Sequence, residues 1–257
     1  MTSSPSSASA MRMIAVMSLR RARRGRMLWL SGAILALVVG SAVISLVTGR
    51  GGLDFFEGVT DLMLRYLAPL VMLLHASSAV SEEVQARTIT YLFSRPIPRW
   101  TLPMGKYAGA VLLGLAMLLP ALALTYIITM LGEYDAFFPE IGKLWGGLVA
   151  LALAVLLYGA VATAFGTMVT GYSFVAALFY VLIVEVGLAF APGWLKVVAM
   201  TVHLRVVAGL YVPTTTLYMA DPNLTPVASL PVVLGETLLW LFIALAWVGS
   251  SEYRTDK

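Results

Sequence analysis

The sequence predicts an all-α polytopic membrane protein with six transmembrane helices. Of its 257 residues, 60% are hydrophobic and only 12% are charged, and its mean hydropathy is +0.90. An ordinary soluble domain is about 45 to 50% apolar and about 25% charged, so a soluble globule is excluded. The same figures exclude a disordered chain, and the absence of cysteine excludes a disulfide-stapled secreted module. Two histidines without cysteine leave little for a structural zinc or haem site.

Apolar runs long enough to cross a hydrocarbon core of about 30 Å occur at 27–48, 62–80, 107–131, 144–169, 172–190 and 231–249. They are read as helices because a spanning segment must satisfy its own backbone hydrogen bonds, and none shows the alternation of a membrane barrel strand. Residues 1–10 are Ser-rich without periodicity and are expected to be a disordered tail; residues 11–26 form a basic arm; residues 27–257 form the six-helix transmembrane domain. The run at 27–48 is longer than a signal-peptide core and lacks a clear cleavage site after it, so it reads as a retained anchor.

Lysines and arginines set the orientation. Arg12, Arg20, Arg21, Arg23, Arg24 and Arg26 precede the first run, Arg87, Arg95, Arg99 and Lys106 lie between the second and third, and Arg254 and Lys257 come after the last. The other side holds only Arg50, Lys143, Lys196 and Arg205. The positive-inside tendency therefore places both termini in the cytoplasm of a multi-pass inner-membrane protein. Residues 194–230 are apolar at first but carry Lys196, His203 and Arg205, and then Pro213, Pro222 and Pro226. Central charges disfavour a seventh span, and an interfacial or re-entrant helix on the outer side is the preferred reading.

The connection between the second and third runs carries the sharpest pattern. On a helix, Glu83, Arg87, Thr90 and Ser94 share one face, while Ala86, Ile89, Leu92 and Phe93 share another. Glu82 sits at the helix start, where the dipole favours a carboxylate, and Glu83 with Arg87 forms an i, i+4 pair. Pro96 and Pro98 end this amphipathic helix, and Arg99, Trp100 and Lys106 return the chain to headgroup level.

The ordered run of Glu82, Glu83, Thr88, Leu92, Ser94, Arg95, Pro96, Arg99, Gly105 and Lys106 resembles the pattern of type-2 ABC transporter permeases. In that family an acidic pair, a Thr, an apolar pair, a Pro-x-x-Arg turn and a Gly-Lys recur between spans two and three. The six spans, the basic arm and the longer connection before the last span are similar too. The resemblance implies a permease domain that forms the translocation pathway, pairs with a second copy or a homologue, and docks cytoplasmic ABC ATPase subunits. Glu82, Glu83, Arg87, Thr88, Arg95, Pro96, Arg99 and Lys106 would then couple it to the ATPase. ATP and magnesium would be used by that partner, with no cofactor on this chain and no nucleic acid among its partners.

The residues agree that energy must come from outside. Gly105 and Lys106 are preceded by Trp100 where a phosphate-binding loop needs its first glycine, and Gly142 and Lys143 by Phe137. An intramembrane glutamate protease is the least favoured alternative: Glu82, Glu83 and Arg87 match its first motif, but Val71, Ala199 and Val207 stand where its later histidine motifs need their partners. An ATP-independent carrier or channel is the other alternative. Its polar pathway would run through Arg65, Glu185 and Glu236, which at about 1.5 Å per residue all fall in the outer half of their spans. Arg65 could pair with Glu185, with Glu236, or with Asp61 at i, i+4.

The remaining features concern packing. His75 reads as a hydrogen-bond donor between helices. Gly105 with Gly109, Ala110 with Gly114, and Ala160 with Ala164 are small-xxx-small pairs that allow close helix approach, with a dimer seam as one use. Pro120 should bend the third span. Trp29, Trp145, Trp194 and Trp247 read as interfacial anchors, whereas Trp240 falls near the middle of its span.

Overall fold

A computed structural model describes residues 7–77, 98–169, 171–191, 193–210 and 224–250. The described residues are helical, with no strand among them. Six helices are long and apolar enough to cross a membrane. The arm is α1, Ser7–Arg24, and the first span is α2, Arg26–Val47. The second span is α3, Leu53–Ala76, and the third is α4, Thr101–Met130. A short α5, Tyr134–Phe137, leads to the fourth span α6, Ile141–Met168. The fifth span is α7, Ser173–Phe190. A buried α8, Met200–Val207, precedes the last span α9, Pro226–Ser250. The end of the bundle where α2 begins is called the α1 face, and the other end the α8 face.

The second span differs most from the sequence expectation: it starts at Leu53 rather than at residue 62. Asp54, Glu57 and Asp61 argue against so early a start, but two of them find cations. Glu57 is paired with Lys143 and Asp61 with Arg65 and Arg205, so the charged first turns are tolerated. The α2–α3 corner is made by glycines. Gly49 has φ of 66°, and the bonds Gly49 N–H to Leu46 O and Arg50 N–H to Ser45 O close α2 with a Schellman motif. Gly52 has φ of 99°, and a Cβ there would lie 2.2 Å from Oε1 of Glu133. Helix α1 takes in residues 7–10 of the segment expected to be disordered, and buries Ala10.

The core centres on α6. In its apolar window 72% of residues are buried, against 28% in α2 and α7 and 22% in α9, so α6 is the axis and the others its lipid-facing rim. Its regular supply of small residues, among them Ala150, Ala154, Ala160 and Ala164, lets α3, α4 and α9 pack closely against it. Met72 is fully buried in a socket between two of these helices. A Cβ on Gly114 would meet its Sδ at 2.5 Å, and one on Gly159 would meet its Cε at 2.8 Å. Exposed Leu37, Ile44 and Val47 on α2, and Leu238 and Phe242 on α9, leave the outer surface apolar, as lipid requires.

The small-residue pairs are used within the chain. Gly105 and Gly109 receive α1: a Cβ on Gly105 would lie 2.8 Å from Cβ of Ile14, and one on Gly109 3.1 Å from the Ala15 carbonyl and from Cβ of Ser18. Gly105→Leu should therefore push α1 off α4 at about 1 to 3 kcal/mol, the usual cost of overpacking. Tryptic cleavage within the arm should accelerate by about tenfold, one decade for 1.4 kcal/mol, while the six spans stay resistant. An unchanged cleavage rate would contradict this packing.

His75 plays its expected part. The Ser31 hydroxyl donates to the Met27 carbonyl at 3.0 Å, so at its 3.1 Å contact with His75 Nε2 it accepts, and the imidazole donates. Helix α4 continues through Pro120. Trp29, Trp145 and Trp194 are well exposed. Trp240 is half-buried, packed against a tilted Phe165 ring and edge-on to Tyr180, with ring centroids at 5.6 and 5.2 Å.

Candidate functional site

The polar groups of the bundle converge on α8. This helix has eight residues, about 12 Å long at 1.5 Å per residue and far short of a span. Met200, Thr201, Val202, His203, Leu204 and Val206 are all buried. An interfacial helix would leave one face to headgroups. The protein instead encloses α8 on nearly every side. Its end is a second Schellman motif: Gly209, with φ of 74°, donates to Val206, and Leu210 donates to Arg205. A Cβ on Gly146 would lie 3.1 Å from the Ala208 carbonyl, so the α8 terminus rests directly on the first turns of α6.

Three polar contacts seat the helix. At its start, the Glu185 carboxylate accepts the Thr201 N–H at 2.9 Å and the Thr201 hydroxyl at 3.1 Å, and Tyr158 O–H donates to it at 3.4 Å. The Tyr158 and Thr201 hydroxyls are themselves 3.0 Å apart. A carboxylate on the first N–H groups of a helix satisfies an orphan donor and complements the dipole. Glu185 is only 1% exposed, so these bonds account for its burial.

At its middle, His203 bridges two elements. Its Nε2 is 2.9 Å from the Val197 carbonyl, which can only accept, so this nitrogen carries the proton and Nδ1 accepts from Ser229 of α9 at 3.1 Å. Burial pushes its pKa below the ordinary value, with the Val197 carbonyl opposing in part. At the end of α8, Nε of Arg205 lies 2.5 Å from Oδ1 of Asp61. The contact is an ion pair, and this buried Nε makes no hydrogen bond among the described residues. The same carboxylate accepts from Nε of Arg65 through Oδ1 at 3.1 Å, with Oδ2 2.9 Å from that nitrogen, and the Arg65 guanidinium lies 5.3 Å from the Phe190 ring centre.

Two helix irregularities place these charges. Residues Met63–Leu67 of α3 and Val181–Gly187 of α7 are π turns, and they contain Arg65 and Glu185 respectively. A π turn inserts a residue into the helical ladder and rotates the next turns of the helix, and such bulges gather at functional positions. Both spans are thus locally rewound at the residue that serves the α8 seat.

Of the three intramembrane residues expected from sequence, Glu185 and Glu236 are neighbours around Tyr180. Glu236 accepts the Trp240 indole N–H at 2.7 Å. Arg65 joins neither glutamate among the described residues; it takes the Asp61 alternative because both lie one turn apart on α3. Sequence reasoning missed Tyr158, Thr201, Ser229 and the second cation on Asp61. The signal available for the last was the unexplained charge Arg205, which at membrane depth required a carboxylate partner.

Glu82, Glu83, Arg87, Thr88, Arg95 and Pro96 lie outside the described residues. Arg99 lies two residues before α4 and Lys106 in its second turn, on the stretch that receives α1.

A bundle of six helices long and apolar enough to span, enclosing a short buried helix, defines a multi-pass membrane protein. Residues 19–246 match the family model described as ABC-2 family transporter protein, so the chain belongs to the ABC-2 transporter family and is a membrane permease of the ABC transporter type. Permeases of this family typically work with ATPase subunits and form dimers. Curated proteins contain no match to the chain.

Proposed function

We propose that this chain is the transmembrane subunit of an ATP-driven transporter of the inner membrane, with both termini and the α1 face in the cytoplasm. It forms the translocation pathway, is paired with a second copy or a homologue, and is driven by a separate ABC ATPase that binds the ATP and magnesium. The observation that carries the reading is the family match over residues 19–246. The packing of α1 on Gly105 and Gly109 supports it. It ties the basic arm to the start of α4, next in the chain to the connection bearing Glu82, Glu83, Arg87, Thr88, Arg95 and Pro96. A force applied to that connection reaches α4 and α1 together, and through α4 the central α6, as a rigid-body displacement.

Under this reading Arg65 and Glu185 hold α8 in place rather than contact cargo, because their polar partners Asp61, Thr201 and Tyr158 lie within the chain. Glu236 is less buried than Glu185, is bonded only within its own helix among the described contacts, and is the better candidate for the pathway. The experiment is coupled ATPase activity of the assembled complex in proteoliposomes. Glu83→Ala and Arg87→Ala should each reduce cargo-stimulated hydrolysis by about tenfold, a loss near 1.4 kcal/mol of coupling, with membrane insertion intact. Normal stimulation in both variants would remove the coupling role. Solute movement by the isolated chain without nucleotide would replace the whole reading with a carrier.

A further inference from the structure

At the α1 face a half-open cavity of about 500 Å³ lies between α1, the start of α2, the end of α3 and the start of α4. Its size is typical of a pocket for one small amphiphile. The lining has two chemistries. Arg21 of α1 and Lys106 of α4 supply two cations, and no carboxylate is among the described lining residues. Met17, Leu74, Leu102 and Leu113 supply an apolar wall. Arg21 and Lys106 have contacts within the protein. A guanidinium has five N–H donors and an ammonium three, so each can also serve a bound anion.

The position selects the kind of anion. Gly25 and Met27 mark the start of the first span and Leu74 and His75 the end of the second, so the cavity sits where the chain enters the hydrocarbon. Along α4 it runs from Leu102 to Leu113, about 16 Å at 1.5 Å per residue. That reach exceeds a free phosphate and suits a headgroup together with the upper part of an acyl chain. We propose that this cavity binds one phospholipid with an anionic headgroup, taken from the leaflet at the α1 face. Its phosphate lies between Arg21 and Lys106, and its acyl chain runs from there towards Leu113. The lipid then joins α1 to the spans on the side that Gly105 and Gly109 leave open. The site does not depend on the transport reading.

The test uses the purified full chain in detergent, with phosphatidylglycerol or phosphatidylcholine added and binding monitored by native mass spectrometry and thermal unfolding. Phosphatidylglycerol should bind about tenfold more tightly or better, the scale expected of two cations beside an anionic headgroup, and should raise the melting temperature. Arg21→Gln with Lys106→Gln should abolish the preference. Arg12→Gln with Arg20→Gln, on exposed positions outside the cavity, should keep it. Equal binding of both lipids, a preference retained by the Arg21 and Lys106 variant, or equal stabilisation by glycerol 3-phosphate would each overturn the proposal. Should that variant fail to fold, a photoreactive phosphatidylglycerol on the unaltered chain decides: labelling within 14–25 and 102–113 supports the site, and labelling only elsewhere overturns it.

Discussion

Replacing Asp61 with alanine should be among the most damaging single changes in this protein, at about 2 to 3 kcal/mol. Removing one partner from a buried ion pair costs about 3 to 5 kcal/mol because the other charge is left without compensation. Here two cations are left at once: Arg65 and Arg205 have side chains only 11% and 18% exposed, and both are held by this carboxylate. The carboxylate itself is 29% exposed, and solvent screening puts the expectation below that range. Arg205→Met should cost much less, because Asp61 keeps Arg65 and the thioether fills much of the same volume. The double variant Asp61→Ala, Arg205→Met should recover part of the loss, since the like-charge confrontation is gone. Thermal unfolding in detergent, monitored by tryptophan fluorescence, measures all three. A loss below about 0.5 kcal/mol for Asp61→Ala would mark Asp61 as an ordinary surface position and the contact as an incidental ion pair.

The cost of Arg205 explains why part of this arrangement was legible in the sequence and part was not. Hydropathy located all six spans, because about 20 consecutive apolar residues admit few other structures. It placed the start of α3 too late, because a hydropathy window charges every carboxylate the full price of burial, whereas Glu57 and Asp61 meet Lys143 and Arg205 across the fold. Similarly, Gly105 and Gly109 announced a close helix approach, but their spacing cannot name the approaching helix, and the arm α1 occupies the place a second subunit could have taken. Arg65 and Glu185 were recognisable as intramembrane charges in need of partners. The spacing offered Asp61 to Arg65 as one of three partners, but the partners of Glu185 depend on a π turn, which leaves no mark in a 3.6-residue periodicity, and on the position of an eight-residue helix too short to be found by hydropathy. The amphipathic pattern of the connection between α3 and α4 is a property of sequence alone, since that segment lies outside the described residues.

Glu185 should show the other large effect, and its substitutions should rank by how many donors each leaves unmet. Glu185→Ala removes the acceptor of the Thr201 N–H, the Thr201 hydroxyl and the Tyr158 hydroxyl. The two hydroxyls can turn towards each other across their 3.0 Å contact, but the N–H at the start of α8 has no other place to go. One orphaned buried donor at about 1 to 3 kcal/mol, together with the cavity left by the side chain, predicts a loss of about 3 kcal/mol. Glu185→Gln keeps a carbonyl for that N–H, and its amide donors can be accepted by Tyr158 or Thr201 oxygens, so about 1 kcal/mol is expected. Thr201→Val leaves the N–H to carboxylate bond intact and removes only a hydroxyl, again at about 1 kcal/mol. Hydrogen exchange distinguishes the seat from general destabilisation: amides of residues 201–207 should lose protection in Glu185→Ala before those of α6 do, because the carboxylate bonds the first turn of α8 directly, whereas α6 meets it only through the Tyr158 hydroxyl. Equal costs for the alanine and glutamine variants would show that burial of the side chain, and not the helix-start bond, is what matters at this position. Loss of protection throughout α6 at the same rate would show that α8 unfolds only together with the bundle.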